Sequence, residues 1–205
     1  MSTPDEIRIL APTGVCGSGF SEESFERGLA MKPRFIGADA GSTDPGPSHL
    51  GNGEPAFPRD AVRRDLRLML LGARRLNVPL MVGSVGTAGG DVHLDWCYDI
   101  LKEIAATEGL SFKLALIHAE QEKDYLKKRL REGRIKPLSP APEFNESVID
   151  RSAHIVGKLG TQIGLITLIS ALAFLAMPLV APNGSPLLFL AINARRLLVG
   201  VKQAA

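Results

Sequence analysis

A chain of 205 residues with a formal net charge of +2 and 5% aromatics is long enough to bury one real core. It lacks the basic field and the stacking platforms of a nucleic-acid binder, so no nucleic-acid partner is expected. Its two cysteines, Cys16 and Cys97, show neither metal-ligand spacing nor a pairing pattern, as reduced cytosolic thiols do. The start, Met-Ser-Thr-Pro-Asp-Glu, has no basic or apolar stretch of the signal-peptide kind, and a cytoplasmic location is expected.

Residues 7–10 read as a first strand, ended by Ala11-Pro12-Thr13-Gly14. Ser21 ahead of Phe25 marks a helix start, and Lys32-Pro33 marks its stop. Residues 34–38 predict a second strand ending at Asp39, and a proline- and glycine-rich loop follows to about Pro58. Residues 60–76 predict the clearest helix, with Val62, Leu66, Met69, Leu70 and Ala73 on one apolar stripe. Its opposite face, with Arg63, Arg67 and Arg74, reads as solvated. Residues 80–82 form a third expected strand, leading into Gly83-Ser84-Val85-Gly86-Thr87-Ala88-Gly89-Gly90-Asp91. A helix over 92–108 is expected to bury Leu94, Cys97, Leu101, Ile104 and Ala105 and to stop at Gly109. Residues 113–117 give a fourth strand, 121–132 a charged surface helix, and 136–144 a proline-rich linker. Strands alternating with helices predict an α/β domain, a parallel sheet with helices on both faces.

In open parallel sheets, ligands bind beyond the carboxyl ends of the strands. Those ends deliver residues 13–19, 39–44 and 83–91, then His118 and Glu120. The 83–90 loop lies between a strand and a helix, where free N–H groups and the positive helix end hold a phosphate or carboxylate. Alternatively, its glycines serve only a tight turn that needs positive φ. Neither this loop nor Gly14, Gly17 and Gly19 matches a phosphate-loop or dinucleotide fingerprint. Candidates for substrate or anion binding are Gly17, Gly19, Ser42, Thr43, Ser84, Gly86, Thr87, Gly89 and His93.

Catalytic candidates are Asp39, Asp44, His118 and Glu120. Asp39 and Asp44, with Ser42 and Thr43, suit a divalent metal, a polyol or a general base, or else hydrogen-bond their own loop. His118 and Glu120 are two apart at a strand end and so point the same way, as an acid–base pair or a structural one. His93 and Asp95 flank the start of the third helix. Cys16 reads as an ordinary thiol, and His49 and His154 receive no role. No metal site and no cofactor is assigned.

The run Ala38-Asp39-Ala40-Gly41-Ser42-Thr43-Asp44-Pro45-Gly46-Pro47, with Leu50-Gly51 after it, resembles a signature of the acyclic terpene utilisation (AtuA-like) family. Gly19-Phe20-Ser21-Glu22-Glu23-Ser24-Phe25, Gly83-Ser84-Val85-Gly86-Thr87-Ala88-Gly89, Ala115-Leu116-Ile117-His118-Ala119 and Ile155-Val156-Gly157-Lys158-Leu159-Gly160 support it. The resemblance covers about residues 7–160. It implies a role in catabolism of acyclic terpenes or related branched carboxylic acids or thioesters. A small carboxylated or CoA-linked substrate and acid–base chemistry of the hydro-lyase kind go with it.

Family members are typically much longer, and the pattern stops near Gly160. Between Lys158 and Arg195 no residue is charged. The apolar run 163–180 is long enough to span about 27 Å as a helix, against roughly 30 Å of bilayer hydrocarbon. It reads as a membrane anchor, a buried helix or a tail unrelated to the family. The chain thus divides into a domain over 1–160, shortened relative to the family, and a tail over 161–205. A shortened domain is expected to form an oligomer or to need a partner subunit, and a non-catalytic accessory role is the alternative to an enzyme.

Overall fold

A computed structural model of the chain describes residues 8–42, 44–137 and 140–157, together with the backbone of 199–204. Three strands, β1 (Ile9–Leu10), β2 (Phe35–Gly41) and β3 (Leu80–Thr87), form a parallel sheet in the order β1-β2-β3. Asp39 lies beside Gly83, and the ladder slips before Gly41 meets Thr87. Helix α1 (Glu22–Ala30) links β1 to β2 and begins where the Ser21 hydroxyl accepts the Ser24 N–H at 3.3 Å.

One core holds the domain together. Ile36 and Ala40 of β2 meet Phe25 and Leu29 of α1, Val62, Leu66 and Met69 of α3 (Arg59–Leu76), and Cys97, Ile100 and Ile104 of α4 (Asp91–Glu108). The stripe expected on α3 is therefore the buried one. Parallel strands and helices make the domain α/β, and this core accounts for one helical layer, on the Ile36 side of the sheet. On β2, Phe35, Gly37 and Asp39 alternate away from that core.

The arginines of α3 are not simply solvated. Arg59 and Arg63 reach Glu103 on α4 at 2.6 and 2.7 Å, and Arg67 reaches Glu108 on the same helix. On the other flank, Arg64 reaches Glu22 at 3.1 Å and Arg75 reaches Glu26 at 2.6 Å, both on α1. Of the three arginines read as solvated, Arg63 and Arg67 tie α3 to α4 and Arg74 is exposed, while Arg64 and Arg75 make the links to α1.

Three elements depart from the sequence reading. The 40–58 loop contains a helix, α2 (Gly46–Asn52), because Pro45 and Pro47 stand at its start, where a missing N–H costs nothing. The 136–144 linker ends at a short helix, α6 (Glu146–Arg151), capped by the Asn145 side chain accepting the Val148 N–H at 3.2 Å. Strand β4 (Phe112–Ile117) pairs antiparallel with β5 (Val199–Ala204), Phe112 opposite Ala204 and Ile117 opposite Val199, instead of extending the parallel ladder. Helix α5 (Lys123–Arg131) follows β4 and packs against α6. Among the described residues no helix is long and apolar enough to cross a membrane. The run 163–180, and the anchor expected of it, lies outside the described residues.

Candidate functional site

The first glycine-rich loop is tied to β2 by the Cys16 N–H, which donates to the Asp39 carbonyl at 2.8 Å. Gly17 and Gly19 take φ of 105° and 83°, which only glycine adopts freely. Their N–H groups then point inward and donate to Oδ2 of Asp65 at 2.9 and 3.0 Å. Asp65 is fully buried, and its Oδ1 accepts from Arg64 Nη1 at 2.9 Å. The loop is an anion cradle whose anion is the chain's own carboxylate, so Gly17 and Gly19 are committed to structure. Burial, with smaller contributions from the Asp65 charge and from Cys97, pushes the Cys16 thiol up to about 12. That is an inert thiol at neutral pH.

At the end of β2, Asp39 is exposed and its Oδ1 accepts the Gly41 N–H at 2.7 Å. A Cβ built on Gly41 would fall 2.5 Å from the Ser84 Cβ and 3.2 Å from Asp39 Oδ1. The missing side chain at Gly41 is what lets Ser84 approach the carboxylate. Ser84 itself has φ 48°, in the left-handed region where a serine is strained. The Ser42 N–H donates to the Thr87 carbonyl at 3.3 Å, and its carbonyl accepts the Gly46 N–H at 3.0 Å. Asp44 is exposed in the turn before α2, and Thr43 lies outside the described residues. Thr87 is buried, with its hydroxyl accepting the Ala56 N–H at 3.0 Å. Among the described residues no cluster of three or more His, Cys, Asp or Glu side chains is arranged to hold a metal ion.

The turn between β3 and α4 wraps around His93. Gly86 and Gly89 take φ of 63° and 70°, and a Cβ on Gly86 would stand 2.7 Å from the His93 Cβ. A Cβ on Gly89 would stand 3.3 Å from the Ser84 Cα. His93 is fully buried, and neither ring nitrogen has a hydrogen-bond partner. Burial holds its pKa below the ordinary 6.5; the backbone of Glu54 and His49 opposes that shift without making a bond of normal geometry. His93, expected among the ligand-binding groups, is part of the interior.

The first N–H of α4, that of Asp91, donates to Glu120 Oε2 at 3.1 Å. This second cradle is also filled by the chain's own carboxylate, placed at the positive helix end. Residues 155–157 run back along 119–121, with Gln121 N–H on the Ile155 carbonyl and Gly157 N–H on the Ala119 carbonyl, both at 2.8 Å. That return brings His154 Nδ1 into a hydrogen bond with Glu120 Oε1. Burial pushes the Glu120 carboxyl up, but the His154 bond, the Asp91 N–H and the nearby imidazoles outweigh it, and the net shift is downward.

His118 faces Asp91, with Nδ1 3.1 Å from Oδ1 and side chains 40% and 42% exposed. The two atoms are within ion-pair distance, though off the line of a hydrogen bond. The two residues read as a pair, His118 and Glu120, thus share Asp91: one meets its side chain, the other its backbone. His49 Nδ1 lies 2.8 Å from the Glu54 carbonyl and so carries the proton it donates. His49, His154 and Asp65 are the polar residues that the sequence reading left out of the site, and Asp91, delivered with the 83–91 segment, received no role of its own. Asp65 alone had a signal, a charge on an apolar stripe. Comparisons with family models, with curated proteins and with solved structures found no match to this chain.

Proposed function

We propose that this chain acts on a small branched substrate, carboxylated or CoA-linked and of the acyclic terpene kind, by acid–base chemistry at the strand ends. The observation that supports the reading is an exposed carboxylate at the end of β2, Asp39, and an exposed imidazole just past the end of β4, His118. Asp39 and His118 are both accessible, whereas Gly17, Gly19, Thr87 and His93 are buried or committed to internal bonds.

In a dehydration, Asp39 removes the proton from the carbon beside the carboxyl or thioester carbonyl. Those electrons form the new C=C bond, and the C–O bond on the next carbon breaks. His118, as imidazolium beside Asp91, gives its proton to the departing hydroxyl, which leaves as water; hydration is the reverse. Ser42 and Ser84 offer hydroxyls to the substrate carbonyl, and Glu120 acts as a positioning residue at the head of α4. A cytoplasmic site of action goes with a CoA-linked substrate.

The test is exchange of the proton next to the carbonyl in D2O, with the CoA thioester of a saturated acyclic terpenoid acid, read by mass spectrometry. Wild type is expected to incorporate deuterium, and Asp39→Ala to slow it by about 10²- to 10⁴-fold with an unchanged unfolding curve. Exchange at the wild-type rate in Asp39→Ala, or none above the protein-free control in wild type, overturns the reading.

A second reading, a non-catalytic accessory subunit, draws on the side of the sheet away from the core, which no helix of the core described above covers. Ile9 is 50% exposed, and Phe35 and Met81 stand outside the core that takes in Ile36 and Val82. Tethering through residues 163–180 belongs to this reading. It expects a stable complex with a second chain, visible by sedimentation.

A further inference from the structure

We propose that His93 is a proton-operated latch on residues 84–90, the irregular end of β3 and the turn after it: the neutral ring locks this segment against α4, and protonation of the ring releases it. The ring fills the space over two glycines. A Cβ on Gly86 would meet His93 Cβ at 2.7 Å, and one on Gly90 would meet Nδ1 at 3.2 Å and Leu50 Cδ1 of α2 at 3.1 Å. The ring is wholly buried, with both nitrogens unpartnered. A neutral orphan imidazole costs little beside a buried imidazolium with two unmet N–H donors. His93 is also the third residue of α4, where a cation meets the positive end of the helix.

The groups around it offer only partial relief: the backbone of Glu54 and His49 favours the proton without forming a bond of normal geometry, and burial outweighs it. His49 of α2 and His154 of the segment after α6 oppose a charge on His93. Glu120, from the end of β4, attracts one, but its two oxygens are taken by His154 and the Asp91 N–H. Asp91, on the same helix, turns to His118.

The sign follows from these contacts. The closed state holds the proton less tightly than the open one, so closure is complete above the ordinary imidazole value of 6.5 and weakens as pH falls below it. Ser84 belongs to this segment and directly follows Gly83, the strand partner of Asp39, so mild acid loosens the backbone beside Asp39. The latch does not depend on the acid–base role proposed for Asp39 and His118.

Amide hydrogen exchange of the full chain between pH 7.5 and 5.5, corrected for the intrinsic rate, tests it without any activity readout. Opening of 84–90 is expected to rise by up to about tenfold per pH unit below 6.5, while α3 stays protected. His93→Leu should flatten that response, and His118→Gln and His154→Gln should keep it. Should His93→Leu fail to fold, NMR titration of the wild-type ring decides, because ring protonation and loss of protection must coincide. Overturning results are a pH-independent turn in wild type, a response that survives in His93→Leu, parallel loss of protection in α3, or a ring that titrates while the turn stays closed.

Discussion

Asp65 stands three residues after Val62 and four before Met69, so its carboxylate shares the apolar stripe of α3 and is fully buried there. Two backbone N–H groups and the Arg64 guanidinium offset its desolvation. Asp65→Ala removes the acceptor and leaves the Gly17 and Gly19 donors buried without one. A loss of about 3–5 kcal/mol is expected from urea unfolding, and an unchanged midpoint would contradict the cradle. The anomaly of a charge on that stripe was legible in the sequence. Its target was not, because the bond joins residues nearly fifty positions apart. The same limit applies to His154, which reaches Glu120 only through the return of 155–157 along 119–121. Asp39 was legible as the residue that ends a strand of the parallel sheet, whereas His118 and Glu120 follow β4, which pairs with β5 outside that sheet, so the strand-end argument does not by itself bring them to Asp39. The glycines of the first loop were legible as a close approach of backbone to an anion. Which way their N–H groups face is a tertiary fact.

Helix α3 acts as a rail, with ion pairs to α1 on one flank and to α4 on the other. These pairs are partly exposed, so screening governs their strength. Glu103→Gln releases Arg59 and Arg63 together. Its destabilisation should be modest near 0.1 M salt and should vanish near 1 M, where the screening length falls from about 10 Å to about 3 Å. A salt-independent loss of the same size would mean that packing, not charge, joins α3 to α4. The bounds of α3 and α4 follow the periodicity to within a residue, because a long amphipathic stripe leaves few alternatives. Helix α2 escaped the sequence reading because its first-turn prolines carry the same local signal as a loop. For β4, the residues specify an extended segment but not the direction of its partner, and β5 lies some eighty residues further on.

Across the whole domain, Cys16 from the first loop and Cys97 from α4 enter one core, and burial is the main cause that pushes each thiol up to about 12. Alkylation by iodoacetamide at pH 8 should therefore proceed at the rate of global opening and speed up with urea in step with unfolding. A thiol that reacts at the rate of free cysteine would show that the core opens locally. The alternation of strands and helices was enough to identify the α/β class, and chain-wide features such as this shared core follow from it. A further consequence attaches to the two cradles filled by Asp65 and Glu120. A tethered carboxylate competes with any dissolved anion at an effective concentration of order millimolar or more. Sparse external phosphate or carboxylate is therefore outbid at both turns before it arrives. Each of these two turns therefore holds its own anion, whereas the exposed Asp39 carboxylate is held only by the Gly41 N–H.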